Sequence, residues 1–159
     1  MNKYLRELLP YIIIVLVVVL IRTFIATPVR VDGGSMDPTL KNGEILLLSK
    51  ISKNYERFDI VVIKTNNTKL VKRIIGLPGE TIEYKDDKLY INNKQIDDVV
   101  NIAMADFKYK IPKGYYFVMG DNRNNSLDSR DYRIGFIKES EIQGTTVFRF
   151  WPLNKIGGI

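Results

Sequence analysis

A mainly β domain carried behind one N-terminal transmembrane helix is the fold class this sequence predicts. The first observation behind it is Tyr11–Ile21, which reads YIIIVLVVVLI without a polar break. The second is a change of pattern from Pro28 onward. There, short apolar runs with period-two character alternate with clusters of Gly, Pro, Asn and Asp. The third is that no long stretch of this remainder has the period of an amphipathic helix. Together they predict irregular antiparallel sheets of sandwich or barrel-like type.

The apolar segment, extended from Leu8 to Thr27, covers 20 residues. At ~1.5 Å per residue it matches a hydrocarbon layer of about 30 Å. Eleven consecutive apolar residues leave no polar face, which a core helix of a soluble domain would need. Lys3 and Arg6 precede the run and Arg22 and Arg30 follow it, so charge alone leans only slightly toward a cytoplasmic N-terminus. A cleaved signal peptide has the same basic start. Pro28 stands where a cleavage site would be wanted, and the reading adopted is a retained anchor. The expected strands are Glu44–Leu48, Ile60–Lys64, Leu70–Ile75, Thr81–Tyr84, Lys88–Ile91, Tyr115–Met119 and Thr145–Trp151, with a hairpin turn within Tyr84–Lys88.

Composition removes whole classes of chemistry. The 159 residues include no His and no Cys. That excludes a Ser-His-Asp triad, a thiol nucleophile, His- or Cys-ligated metal and disulfides. A hydrolase built from this chain must take its base from Lys, Asp, Glu or Tyr. The net charge of +6 suits nucleic acid or an anionic membrane surface equally. No Lys/Arg block forms a nucleic-acid stripe, so no nucleic-acid partner is expected.

Three polar features can carry chemistry, and each has a plainer reading. Gly33–Leu40, GGSMDPTL, is a Gly-Ser linker, or a loop whose glycines bring the backbone close to a substrate around Ser35. In Leu70–Ile75, alternation puts Leu70, Lys72 and Ile74 on one face, with Val71, Arg73 and Ile75 on the other. Lys72 is then either a solvated lysine or a desolvated base. Deprotonating a free lysine at pH 7 costs about 4.6 kcal/mol, and burial lowers a lysine pKa by up to ~3–5 units. The third feature, Gly120–Asp131, is a long polar loop or a hydrogen-bonded frame. A calcium loop fails there on residue type, with Arg123, Ser126 and Tyr132 at the third, sixth and twelfth positions counted from Asp121.

Taken together these segments resemble the type I signal peptidases, membrane-anchored serine peptidases with a Ser/Lys dyad. Four motifs stand in the family's order: SMDPTL at Ser35–Leu40, FDIVVIK at Phe58–Lys64, LVKRIIGLPGE at Leu70–Glu80 and GDNRNNSLDSRDYR at Gly120–Arg133. With the anchor they cover nearly the whole chain. The resemblance implies Ser35 as nucleophile and Lys72 as general base. It implies Ser126 as the hydroxyl that orients the lysine, and Asp128 and Arg130 as a framing pair. Met36 and Val71 fall beside shallow apolar subsites, and Asp121 and Arg123 match structural positions. Arg73, facing away from Lys72, is expected to be dispensable for folding and cleavage.

Two departures stand out. Gly33 occupies the position where some relatives supply an oxyanion hydroxyl, and Asn124 stands where many have Asp. The 47 residues between Lys72 and Gly120 resemble the compact Gram-positive branch. The implied organisation is a cytoplasmic N-terminus at 1–7, an anchor at 8–27 and an extracytoplasmic catalytic domain at 28–159. A small β-hairpin subdomain is expected at about 80–114. The implied partners are signal-peptide-bearing preproteins, the phospholipid membrane and nearby secretion machinery, with no metal or organic cofactor called for. A self-cleaving Ser/Lys repressor would need a helix-turn-helix domain ahead of Ser35. A catalytically silent, membrane-tethered binding or scaffold domain is the remaining alternative.

Overall fold

The computed structural model describes residues 3–65, 68–100 and 104–159. Met1 and Asn2, and the side chains of Lys3 and Arg6 in the expected N-terminal segment, lie outside the described residues. Helix α1 (Lys3–Leu20) continues into one π-helical turn at Ile21–Ile25 and then directly into strand β1 (Ala26–Arg30). Its apolar stretch Glu7–Ile25 has a mean hydropathy of 2.7 and is 0% buried, long and apolar enough to cross a membrane. A core helix of that hydropathy would pack against the domain; this one does not. The helix stops earlier than the expected Thr27, because Ala26 and Thr27 already pair with Ser49 and Leu48. Lys50 Nζ donates to the carbonyls of Arg22 and Thr23 at 3.0 and 3.2 Å, closing the helix end with a cation.

The remaining strands are β2 (Ile45–Ser49), β3 (Ile60–Lys64), β4 (Lys69–Gly76), β5 (Thr81–Lys85), β6 (Lys88–Ile91), β7 (Lys94–Ile96), β8 (Phe107–Lys110), β9 (Tyr115–Met119), β10 (Ile137–Lys138), β11 (Ile142–Trp151) and β12 (Gly157–Gly158). The large sheet has the order β1-β2-β11-β3-β4-β9-β10, with β12 also on β11, and the small one runs β7-β6-β5-β8. Every pairing is antiparallel. The mainly antiparallel β class and the single apolar N-terminal helix match the sequence reading. The small sheet spans Thr81–Lys110, inside the segment expected to form a subdomain.

Local chemistry accounts for the joints. Asp86 and Asp87, both with positive φ, form the two-residue turn between β5 and β6, where Lys85 faces Lys88. Asn92 and Asn93 do the same between β6 and β7. β11 changes partner from β3 to β2 around Gly144. A Cβ there would overlap the Ser49 carbonyl, and φ is +151°, so only glycine permits the switch.

Strands β3 and β9 read as nearly continuous apolar runs, and β4 between them is buried from Lys72 onward. Val61, Ile63, Ile74 and Val118 pack in one core with Tyr55, Tyr116, Ile137 and Ile142. Ile75, Phe117 and Met119 pack in a second with Ile82, Tyr84, Leu89 and Ile91 of the small sheet. Phe117 sits where the sheets meet, stacked at 5.7 and 5.6 Å on Phe107 and Tyr109 and tilted against Phe136. Phe117→Ala is expected to cost about 3–5 kcal/mol, read from urea unfolding of the detergent-solubilised protein. An unchanged midpoint would contradict a core shared by the two sheets.

Candidate active site

Ser35 begins the turn that follows the two glycines. Its loop is tied down from three sides. Gly33 N–H donates to Asn42 Oδ1 at 3.0 Å, and the Ser35 carbonyl accepts the Asn122 N–H at 3.0 Å. Asn122 Nδ2 donates to the Gly34 carbonyl at 3.0 Å. Further along, Arg149 Nη2 donates to the Thr39 carbonyl at 2.8 Å while its Nε faces buried Glu44. The segment is therefore part of the packed domain and not a linker, with Met36 and Leu40 fully buried in a third core beside Val31, Leu46 and Ile60.

Lys72 comes from the middle of β4. The expected alternation holds around it: Leu70 and Ile74 pack in the first core, Val71 against the third. Lys72 is only 3% exposed, and its Nζ lies 2.7 Å from Ser35 Oγ. Burial pushes its pKa below the ordinary lysine value, and nearby Arg130 pushes the same way. Asp128 and Asp121 oppose it. Lys72 is therefore desolvated and does not lie on a solvent face.

The polar loop after β9 is a frame of buried ion pairs. Asp128 Oδ2 accepts the Gly120 N–H at 3.0 Å, and Arg130 grips both carboxylate oxygens at 2.8 and 2.9 Å. Burial pushes the Asp128 carboxyl up, but these bonds more than offset it and hold the pKa below the usual range. Ser126 Oγ is buried beside Asp128, whose charged form it favours, and it makes no hydrogen bond to Lys72. The expected orienting hydroxyl thus lies against Asp128 and not on the lysine. Gly120 lets this packing happen, since a Cβ there would overlap both Ser126 Oγ and the Ser35 carbonyl oxygen.

Arg73 corrects the sequence reading. It does face away from Lys72, but it is 8% exposed and grips Asp121 through Nε and Nη2 at 2.9 and 2.6 Å. Nη1 also donates to the carbonyl of Phe58, a bulky residue held at φ 73°. Asp121 is 0% exposed, so deleting Arg73 leaves a buried charge without a partner. Sequence reasoning also missed Asp98, which lies outside the four motifs and binds Arg123 at 2.6 and 2.8 Å. Its only signal was an acidic pair, Asp97-Asp98, with nothing to say what it would meet.

A cleft of about 280 Å³ opens beside Ser35 and Lys72, lined by Pro28–Asp32, Met36 and Lys69–Val71. Val71 is half-buried in its wall, whereas Met36, at 1% exposure, contributes mainly to the floor. β1 is the edge of the large sheet, and β4 meets β9 only from Arg73 onward. Both walls therefore offer unpaired strand edge to the cleft. The Ser35 N–H makes no hydrogen bond within the described residues. Among those residues no cluster of acidic side chains suited to a metal ion occurs.

Such an arrangement, a serine against a buried lysine at the foot of a strand-lined cleft, is the equipment of a serine peptidase. Residues 4–151 match the family model described as signal peptidase, peptidase S26. The chain is 44% identical to "Signal peptidase I T" of Bacillus subtilis (strain 168), covering 98% of this chain and 89% of that one. It is 46% identical to a signal peptidase I of Bacillus amyloliquefaciens, over 90% and 83%. Among solved structures it resembles a signal peptidase I from Enterococcus faecalis V583, with a TM-score of 0.53 and 37% identity. That match covers 58% of this chain and 96% of the other. The chain belongs to the signal peptidase family, and it is a hydrolase of the type I kind.

Arg73→Ala is expected to destabilise the protein by about 3–5 kcal/mol, since one member of a buried pair is removed. Chemical denaturation measures this. Stability equal to that of the unaltered protein would show the Asp121 pair to be dispensable.

Proposed function

We propose that this protein removes signal peptides from exported preproteins through a Ser35/Lys72 dyad. The observation that carries the reading is the 2.7 Å contact between Ser35 Oγ and the Nζ of a lysine that is 3% exposed. Neutral Lys72 takes the Ser35 proton as Oγ attacks the scissile carbonyl. The oxyanion forms against the Ser35 N–H. The lysine then returns the proton to the leaving amine. Water deprotonated by Lys72 next releases the acyl-enzyme. Asp128 and Arg130 frame the lysine, with the Ser126 hydroxyl held beside Asp128.

The substrate binds extended, adding backbone hydrogen bonds to the free edges of β1 and β4. Val71 and Met36 shape shallow subsites that favour small-x-small sequences such as Ala-x-Ala. The apolar helix is a single-pass anchor that keeps residues 28–159 on the extracytoplasmic face of the cell membrane. Phospholipid and secretion machinery are then its neighbours. A silent binding domain of the same fold has no use for a buried lysine against a serine hydroxyl.

Preprotein cleavage in liposomes tests the dyad. Ser35→Ala and Lys72→Ala should each lower the rate by about 10³-fold or more, and Lys113→Ala, altered at an exposed turn, should cut normally. A Lys72→Ala protein of ordinary rate would end the assignment.

The pH profile gives a second check. The reactive form is neutral Lys72, so the rate rises with pH until that form dominates. Because burial lowers the Lys72 pKa, the rise falls below the usual lysine titration range. A rate flat from pH 5 to pH 9 would rule out a lysine base.

A further inference from the structure

We propose that Asp98 is a positioning residue for Lys72, acting through Arg123 and Arg130; this rests on the reading of Lys72 as the base. Asp98 follows β7 and comes from the small-sheet segment, remote in sequence from all four motifs. Its side chain is nonetheless 3% exposed, and Arg123, at 0%, binds both of its oxygens. Two charges buried together add little stability over an apolar pair, and what they supply is a fixed geometry.

That geometry leads step by step to the dyad. The Arg123 carbonyl accepts Arg130 Nη2 at 2.7 Å. Arg130 in turn forks onto Asp128, which caps the Gly120 N–H beside Ser126. Met104, six residues beyond Asp98, accepts Arg130 Nη1 on its sulfur at 3.2 Å. Asp98 therefore holds Arg123, and the Arg123 main chain holds the arginine that neutralises the carboxylate nearest in effect to Lys72.

The charges acting on Lys72 are Asp128 and Arg130 from the closing loop, and Asp121 at the end of β9, itself occupied by Arg73 of β4. Arg30, Asp32 and Lys69 line the outer cleft. Freeing Arg123 loosens Arg130. Its positive field on Lys72 weakens and Asp128 is left less neutralised. Both changes favour the protonated lysine. Asp98→Asn should then be slow at neutral pH and recover at alkaline pH.

The test is kcat/KM against pH for preprotein cleavage by the full chain in liposomes. Asp98→Asn should raise the midpoint of the acid limb by about 0.5–1 unit, with the alkaline plateau restored. Glu83→Gln, which breaks the exposed pair with Lys108, should leave the midpoint in place. Where Asp98→Asn folds poorly, the double variant Asp98→Asn/Arg123→Gln removes both buried charges and should give the same shift. A midpoint that stays put, whether or not the rate falls evenly at every pH, overturns the inference while the dyad stands. An equal shift in Glu83→Gln also overturns it. An unaltered protein without any acid limb removes the lysine base and this inference together.

Discussion

On the proposed reading, a lysine must be kept neutral within reach of carboxylates that would charge it, and most of the buried polar structure around it follows from that. Burial alone favours the neutral amine, but burial also strengthens the pull of any carboxylate left unpaired nearby. Both carboxylates that act on Lys72 are occupied: Asp121 by Arg73 and Asp128 by Arg130, each bidentately. The arginines hold those fields down while taking no proton themselves, since guanidinium stays charged at any working pH. A lysine in either place would bring a second titrating group beside the first.

This explains why the frame is built from Arg–Asp forks and not from an apolar plug. An apolar core around Lys72 would desolvate it as well, but would not fix Gly120 and Ser126 against the Ser35 loop. The forks do both. Asp128 receives the Gly120 N–H, and Asn122, two residues on from Gly120, ties the Ser35 loop through two bonds to its carbonyls. Ser35 and Lys72 come from segments 37 residues apart, and the closing loop is the common body on which both are registered.

Legibility in the sequence tracks how local each cause is. The seven expected strands are all present, because each carries an apolar alternation or run within its own few residues. The ones missed, β1, β7, β8, β10 and β12, are short or lie at sheet edges, with exposed and charged positions such as Lys108 and Lys110, or with Pro28. Their structure comes from a partner strand and not from their own pattern. Ser35 and Lys72 were legible only through the motifs, since spacing alone left Lys72 with two readings. Arg73 was misjudged because facing away from the lysine says nothing of what the side chain meets on its own side. Its partner, Asp121, lies 48 residues on. Asp98 was invisible for the same reason, its value residing in an arginine 25 residues away.

The direct passage of helix into strand has a consequence for how the site works. β1 starts one residue after the apolar stretch ends and forms one wall of the cleft, with no loop between. Five residues of extended chain span about 17 Å, and pairing with β2 along the whole of β1 removes slack from that distance. Lys50, next after β2, bonds back to the helix end and stiffens the joint further. On the proposed reading, the anchor is therefore a ruler as well as a tether. A substrate that emerges from the same membrane and lies along the free edge of β1 meets Ser35 at a height set by the sheet. The register of cleavage then depends on one rigid strand shared by the anchor and the site.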